Sequence, residues 1–297
     1  MKKKIDKKVL ITAGNSNIGS DLVNYFLKKN YNVFETYRLK KNKFTHTKLS
    51  HSKFDFKGEF KLAENFDLLI HCASLTPYKN KISKKKMNLN LEGLKKILYS
   101  NSNFKNIVLL STVSVYGKIN NKILHENTTR NNVNAYGVSK FKMEKILTNY
   151  CKKNKINFLI LRLPGVVGNF QSDVNFMNNL VQKFSNNKIV KFNNPNSYFN
   201  NIVHTESICK ISENLMLGDK NKCKNKIFNL ASLKPIILKD LVNQIKTKLK
   251  SKSIVKILEP NNSFIISTKK SEKFKIPLMT TSKCIKKNIK FILKFYC

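Results

Sequence analysis

Tyr136 and Lys140 are the two residues of this chain whose types and spacing best suit chemistry. Positions four apart lie on one face of a helix, so a phenol and an ammonium would project side by side. A positive charge near a phenol favours the phenolate and lowers its pKa from the usual value of about 10. The pair therefore predicts a site that moves the proton of a hydroxyl group.

Spacing alone does not select this pair, because the chain is rich in lysine. Lys and Arg number 57 in 297 residues, and only three of them are Arg. The 10 tyrosines give three Tyr-x-x-x-Lys matches: Tyr25/Lys29, Tyr37/Lys41 and Tyr136/Lys140. The elements around each match must decide which of them is chemistry.

The composition indicates a folded chain with an unusual charge. Hydrophobic residues make up 41% of it, which is enough for a core, and no apolar run is long enough to predict a membrane span. The formal net charge of +40 would suit nucleic acid or an anionic membrane. However, the lysines are spread over the whole chain and arginine is nearly absent, so no specific nucleic-acid site is expected.

Cysteine and histidine patterns predict neither disulfides nor a metal site. The six cysteines include no C-x-x-C pair, which favours a reducing, cytoplasmic compartment. The five histidines lack the spacing of metal ligands. The basic start leads through VLITA into a glycine turn rather than a cleavage site, so we interpret it as a tail and a first strand.

The first half of the chain alternates apolar runs with helical patterns. Continuous apolar strands between helices predict a Rossmann-type, doubly wound parallel α/β sheet. A sheet domain is expected over 1–165, and a smaller region over 166–297 that partly returns to the sheet. The predicted strands are 9–13, 32–37, 68–73, 107–112 and 158–163; the predicted helices are 18–29, 88–100, 135–150, 174–184, 205–216, 237–250 and 281–295.

The stretch VLITAGNSNIGSDL has the pattern of a strand, a turn and a helix. A dinucleotide pyrophosphate needs backbone N–H groups at a helix N-terminus and small residues that let the chain approach it. An ordinary strand-to-helix turn is the alternative. The predicted cofactor-binding residues of this loop are Thr12, Gly14, Asn15, Asn17, Ile18 and Gly19.

The end of the second predicted strand bears on the choice between NAD and NADP. An acidic residue at the strand tip bonds the adenosine ribose of NAD, whereas a basic residue there accommodates the NADP phosphate. Glu35 lies inside the strand and Arg38 lies at the tip. This favours NADP, although a solvated basic cluster is the alternative in so basic a chain.

Several motifs occur in one order along the chain. VLITAGNSNIGSDL is similar to T-G-x-x-G-x-x-G, FDLLIHCAS (66–74) to D-x-V-I-H-x-A-A, NIVLLSTVSVYG (106–117) to S-[ST]-x-x-V-Y-G, and NAYGVSKFKMEKIL (134–147) to Y-x-x-x-K. In this order the chain resembles the extended short-chain dehydrogenase/reductases, in particular the nucleotide-sugar epimerase/dehydratase group. Of the three matches, only Tyr136/Lys140 follows the STVSVYG strand, so the resemblance selects it.

The resemblance implies an NAD- or NADP-dependent enzyme acting on a nucleotide-sugar, either an epimerase or a 4-keto reductase, and a homodimer through helices 88–100 and 135–150. Tyr136 would be the acid/base, Lys140 would hold the nicotinamide ribose, and Thr112 would bond the sugar oxygen. The resemblance also implies that 1–165 binds NAD(P) and that 166–297 is the substrate-binding region. A noncatalytic NADP-binding regulator on the same fold is the alternative. Further implied residues are Asp55, Phe56, Cys72, Ala73, Ser74, Asn90 and Pro164 for the cofactor, and Thr76, Val113 and Ser114 for the substrate.

Departures from the family pattern limit these expectations. Ala13 and Ser16 replace the first two glycines, which predicts a turn of changed shape. Val113 and Ser114 stand where 4,6-dehydratases carry Asp and Glu, so water elimination is disfavoured. Segment 200–208 lacks the usual Arg and terminal Asp, so the identity of the sugar does not follow. The basic C-terminal helix is expected to pack on the fold, with a membrane surface as the alternative.

Overall fold

The computed structural model describes residues 6–58, 60–76, 84–169, 176–214 and 224–296. Within them a sheet of seven strands forms the centre, and each strand is parallel to its neighbours. The Rossmann-type α/β prediction is confirmed. In spatial order the strands are β14 (Lys226–Asn229), β9 (Asn157–Leu163), β7 (Asn106–Thr112), β5 (Leu68–His71), β1 (Lys8–Thr12), β2 (Asn32–Tyr37) and β3 (Leu49–Lys53).

Helices cover both faces of this sheet. The described helices are α1 (Asn17–Lys28), α2 (Lys84–Met87), α3 (Leu89–Leu98), α4 (Ala135–Lys153), α5 (Phe176–Ser185), α6 (Thr205–Ser212), α7 (Leu238–Lys248), α8 (Lys269–Lys273) and α9 (Thr281–Tyr296). Apolar residues of α1 and α6 pack on one face of the sheet, and those of α3 and α4 pack on the other. Burial on both faces explains why the central strands are apolar throughout.

The second region has an apolar core of its own, built from α5, α7 and α9. Cys284, Ile285, Ile289 and Ile292 form the buried side of α9, so its apolar face is already covered by the fold. This overturns the membrane-surface alternative for that helix. Four short strand pairs complete the region and its junction with the sheet: β8 (Ile123–Leu124) with β17 (Ile265–Ile266), β10 (Gly165–Val167) with β13 (Ile202–His204), β11 (Val190–Phe192) with β16 (Val255–Ile257), and β12 (Tyr198–Phe199) with β15 (Ile236–Ile237). A further pair, β4 (Asn65–Phe66) with β6 (Asn103–Phe104), directly precedes β5 and β7 in the first part of the chain.

Two features of the sheet go beyond the predicted strands. Edge strand β3 reads LSHSK, so it carries little of the apolar signal that marks the central strands. Strand β14 comes from the second region and pairs with β9 in the central sheet. The division at 165/166 stays a prediction. None of the described helices has the length and apolar character needed to cross a membrane.

Candidate active site

The turn between β1 and α1 is tight and depends on particular small residues. Ala13 has a positive φ of 52°, a conformation that favours glycine, at the position where the family motif has glycine. A Cβ atom at Gly19 would lie 2.1 Å from the carbonyl oxygen of Ala13. Ser16 caps α1, since its hydroxyl accepts a hydrogen bond from the N–H of Gly19. The N-terminus of α1, which includes Asn17 and Ile18, therefore lies directly against the end of β1.

Glu35 is buried beneath this turn and does not reach the strand tip. Its carboxylate accepts hydrogen bonds from the Asn42 N–H at 2.9 Å and contacts Nδ1 of His51 at 2.8 Å. A Cβ atom at Gly14 would lie 2.4 Å from a carboxylate oxygen of Glu35. Arg38 is exposed at the tip of β2 instead. The structure thus places both residues where the sequence indicated.

A cavity of about 450 Å³ opens at the carboxyl edge of β1, β2 and β5. Ligands of open α/β sheets bind at this edge. Six predicted cofactor residues line it: Asn15, Arg38, Asp55, Phe56, Ala73 and Ser74. Sequence reasoning missed eight more residues, which adjoin predicted ones or begin α3: Ala13, Thr36, Tyr37, Leu39, Phe54, Lys57, Leu75 and Leu89.

The segment after β5 is held by two buried polar side chains. The Thr12 hydroxyl oxygen accepts hydrogen bonds from the N–H groups of Cys72 and Ala73 at 2.9 and 3.0 Å. The Asn90 amide bonds both the N–H and the carbonyl of Leu75, and it donates to the Ser139 hydroxyl. Thr12 and Asn90 are fully buried and do not line the cavity. Thr12 and Asn90 therefore position the segment after β5, whose residues Ala73, Ser74 and Leu75 line the cavity.

Tyr136 lies in the first turn of α4, which Asn134 caps through the N–H of Gly137. Burial raises the pKa of Tyr136 to about 12, and a hydrogen bond with Ser74 acts in the opposite direction. This is the reverse of the expected lowering. The physical reason is that desolvation of the phenol outweighs the effect of Ser74. Since Ser74 also lines the cavity, the phenol lies beside the predicted cofactor wall.

Lys140 is one helical turn further along α4 and only 2% exposed. Its ammonium donates to the carbonyl oxygen of Leu110 at 2.7 Å. Burial lowers the pKa of Lys140 to about 8, against the opposing effects of Cys72 and Glu144. The ammonium is therefore held against the last residues of β7, and Lys140 is not among the residues that line the cavity.

The predicted sugar-side residues surround the end of β7. Thr112 accepts a hydrogen bond from the Ser114 N–H and its hydroxyl is 3.2 Å from that of Ser114. Val113 begins the 3₁₀ turn Val113–Tyr116. A Cβ atom at Gly137 would lie 2.1 Å from the Ser114 carbonyl oxygen, so this turn packs directly on the start of α4. Thr112, Val113 and Ser114 are thereby brought to the helix end that carries Tyr136.

A buried ion pair fixes α4 to the sheet below the site. Arg162 contacts both carboxylate oxygens of Glu144, at 3.0 and 2.7 Å, and donates to the Tyr116 hydroxyl at 2.6 Å. Ser111 donates to the same carboxylate at 2.5 Å. A buried ion pair of this kind fixes the relative position of α4 and β9 more than it adds to the stability of the fold. The network was not predicted as part of the site.

The other predicted residues lie further out. Pro164 is half-buried at the end of β9, and Thr76 is exposed at the end of the described segment 60–76. A second cavity of about 390 Å³ lies in the C-terminal region. Its lining, which includes Phe199, Asn193 and Asn261, was not predicted.

Fold and site together define a class: a Rossmann-type α/β protein with a dinucleotide-type turn and a Tyr-x-x-x-Lys helix over the carboxyl edge of the sheet. The sequence profile of the NAD dependent epimerase/dehydratase family matches residues 9–230, and the chain belongs to that family. The family prediction is confirmed.

Individual relatives are distant. A UDP-glucose 4-epimerase of Lactobacillus helveticus is 28% identical over 172 residues, which cover 54% of this chain and 52% of that protein. The match thus spans about half the length of the curated relative. A UDP-N-acetylglucosamine 4-epimerase from Methanobrevibacter ruminantium has a TM-score of 0.82 at 19% identity and covers 98% of this chain and 99% of its own. A UDP-glucuronic acid 4-epimerase from Bacillus cereus, solved with NAD, gives 0.79 at 18%, with 97% of each chain covered.

Proposed function

We propose that this protein is an NAD(P)-dependent enzyme that transfers hydride at a carbon of a nucleotide-linked sugar, with Tyr136 as the acid/base. The observation that carries the proposal is the position of Ser74. The Ser74 side chain acts on the Tyr136 phenol, whose pKa it lowers against the effect of burial, and Ser74 lines the cavity at the carboxyl edge of the sheet. The proton-transfer group and the predicted dinucleotide site therefore share one wall.

The dinucleotide is held by residues of the 1–165 part of the chain, and the sugar by residues that adjoin 166–297. Two features fit a dinucleotide. Gly14 and Gly19 leave space in the turn that a Cβ atom at either position would fill, and the cavity adjoins this turn. Backbone N–H groups at the start of α1 face the pyrophosphate. Arg38 at the mouth of the cavity supports NADP over NAD, because guanidinium pairs strongly with phosphate.

The bound nicotinamide supplies a hydride acceptor or donor and, when oxidised, a positive charge. Tyr136 takes the proton from the sugar hydroxyl at its phenol oxygen, or returns it there. The N-terminus of α4 favours the phenolate, because the helix dipole is positive at that end. Lys140 would bond the ribose of the cofactor, and Thr112 would bond the reacting sugar oxygen. Thr76, Val113 and Ser114 complete the sugar side.

A C4 epimerase is the first candidate reaction. The similarity to 4-epimerases supports it. In this reaction Tyr136 would remove the C4 hydroxyl proton while the C4 hydride would pass to the bound NAD. The 4-keto sugar would then turn over and receive the hydride and the proton on its other face. A 4-keto reductase is the second candidate, and Arg38 favours it, since reductases draw on NADPH. A dehydratase is disfavoured by Val113 and Ser114, which cannot act as an acid and base pair.

A noncatalytic regulator on the same fold is the competing class. A Tyr136 phenol remote from the cavity would support it, whereas the Ser74 side chain that acts on the pKa of this phenol lines the cavity. A homodimer through α3 and α4 stays a prediction. Exposed Lys95, Lys142 and Lys145 on these helices would make such a dimer tighter at high salt, because like charges would face each other.

The deciding experiment incubates the purified full-length protein with pairs of UDP-linked C4 epimers and no added cofactor. Interconversion supports the epimerase, and release of NAD on denaturation identifies the tightly held cofactor. Turnover only of 4-keto sugars with added NADPH supports the reductase. Dinucleotide binding without turnover of either substrate class would support the noncatalytic regulator.

A further inference from the structure

His71 is a fully buried titratable residue at the carboxyl end of β5 that the proposed reaction does not use. Its strand register places it opposite Thr12 of β1 on one side and Leu109 of β7 on the other. Side chains alternate along a strand, so His71 shares the sheet face of Leu69, which packs with α3 and α4. Its imidazole therefore lies on the side of the sheet that carries Lys140.

The hydrogen bonds of Thr12 determine which ring nitrogen of His71 carries the proton. The Thr12 oxygen already accepts two N–H groups, from Cys72 and Ala73, which fills both of its lone pairs. Its own proton is then available for Nδ1 of His71, 3.2 Å away. Nδ1 accepts that bond, so the neutral ring has its proton on Nε2.

The Nε2–H group has no acceptor among the described residues, although it is completely buried. A buried donor without a partner is costly, so such groups are commonly satisfied by an ordered water. Lys140 is close enough for its positive charge to disfavour a charge on the ring, and its ammonium has three donors, of which Leu110 takes one. A water between the two groups would accept from both.

We propose that His71 is a positioning residue, whose Nε2–H holds a buried water that also accepts a hydrogen bond from the Lys140 ammonium. The water stabilises the charged form of Lys140 and fixes the direction of its remaining N–H group. The groups that act on Lys140 are then this water, the Leu110 carbonyl, Cys72 and, on its own helix, Glu144. Its consequence for turnover, though not the water itself, rests on the function proposed above.

Two substitutions separate this role from a packing role. His71→Gln keeps an N–H donor near the position of Nε2, whereas His71→Asn keeps a polar group only near Nδ1, the atom that meets Thr12. Both change volume and both retain a buried amide, so the pair is matched. If His71 acts only through its contact with Thr12, His71→Asn should change the titration of Lys140 less than His71→Gln does. If His71 holds the water, His71→Gln should change it less.

The first measurement is independent of any activity. Nitrogen NMR of the full-length protein with labelled histidine reports the tautomer of His71, and carbon NMR of labelled lysine follows the titration of Lys140, which stands apart from the other lysines. We expect the Nε2–H tautomer. We also expect His71→Asn to lower the proton affinity of Lys140 about tenfold, the worth of one hydrogen bond, and His71→Gln to leave it within about threefold.

The Nδ1–H tautomer in the wild-type protein would overturn the proposal, and so would equal titration of Lys140 in the two variants. Thermal melting checks that each variant folds, and the wild-type tautomer remains decisive where one does not. On an active enzyme, kcat should follow the same order, with Asn about tenfold below Gln at unchanged KM. A wild-type protein without turnover would count against the proposed function. The NMR measurements of the His71 tautomer and of the Lys140 titration would still decide the role of His71.

Discussion

The Nζ atom of Lys140 lies 2.7 Å from the carbonyl oxygen of Leu110, two residues before the end of β7. This bond directs one N–H group of the buried ammonium to the sheet rather than to the Tyr136 phenol. Tyr136 and Lys140 thus share a helix face without forming a direct pair, and the pKa of each is shifted towards its neutral form. We infer that the bound cofactor brings the two groups into one reaction.

Replacing Lys140 by Met should stabilise the fold while it abolishes turnover. The shift of its pKa from 10.5 to about 8 corresponds to a cost of about 3 kcal/mol for the buried charge, and the lost bond to Leu110 returns about 1 kcal/mol. We expect Lys140→Met to raise the free energy of unfolding by about 2 kcal/mol at pH 7. Urea unfolding measures this, with exposed Lys142→Met as the unchanged control.

The same residue gives a pH dependence with a definite sign. Below about pH 8 Lys140 is protonated in the folded and unfolded chains alike, so the cost is constant. Between about 8 and the unfolded value near 10.4 the unfolded chain binds more protons, and stability rises with pH. The advantage of Lys140→Met over wild type should therefore shrink across this range. An advantage that is flat up to pH 10 would show that Lys140 is not desolvated.

Ala13 carries the strain of the turn between β1 and α1. Its φ of 52° is unfavourable for alanine by about 1 kcal/mol, partly offset by the greater freedom of glycine in the unfolded chain. Ala13→Gly should therefore raise the unfolding free energy by about 0.5 kcal/mol and tighten dinucleotide binding. The control is exposed Ala63→Gly, for which we expect a small loss of stability. A loss of stability at position 13 would contradict the assigned turn.

Gly19 is the position at which the turn tolerates no side chain. A Cβ atom there would meet the Ala13 carbonyl oxygen at 2.1 Å, whereas at Gly58 the nearest atom is 3.9 Å away. We expect Gly19→Ala to cost about 2–3 kcal/mol and to weaken dinucleotide binding, because α1 must move away from β1. Gly58→Ala should change neither. Fluorescence titration with NADH and NADPH on both variants checks this, and unimpaired binding by Gly19→Ala would place the cofactor elsewhere.

Arg38 tests the choice of dinucleotide. Removing its guanidinium should weaken NADPH binding by about 10- to 100-fold, the worth of a charged hydrogen bond to phosphate, and leave NADH binding nearly unchanged. Lys41→Ala, a nearby change of the same charge, should affect both dinucleotides slightly. If calorimetry finds tighter NADH binding in the wild type, or an unaltered ratio in Arg38→Ala, the NADP assignment is wrong.

The sequence predicted most of the sheet, because burial on both faces leaves continuous apolar runs in β1, β5, β7 and β9. Edge strand β3 was missed, since LSHSK has no such run and only its pairing with β2 makes it a strand. The predicted helices lie within a few residues of α1, α3 and α4. Their ends depend on side-chain caps such as Ser16 and Asn134, which a pattern of apolar residues does not resolve.

The site was predicted less completely than the sheet. Motif order selected Tyr136 and Lys140, but the direction of the Tyr136 pKa shift was wrong, because desolvation depends on packing that the sequence does not display. Asn90 was predicted to bind the cofactor; its amide bonds Leu75 and Ser139, and its role at the cofactor stays a prediction. The Glu144–Arg162 pair joins residues 18 positions apart, and only the pairing of β7 with β9 brings it under α4.

The rate of Tyr136→Phe with the true nucleotide-sugar substrate, compared with wild type, tests most directly whether this phenol moves the hydroxyl proton. Removing one hydroxyl leaves the packing of α4 intact. We predict that kcat falls about 10²- to 10⁴-fold while dinucleotide and substrate dissociation constants change little, because the phenol acts on the proton in the transition state. Full turnover by Tyr136→Phe would contradict the role of this residue as the acid/base.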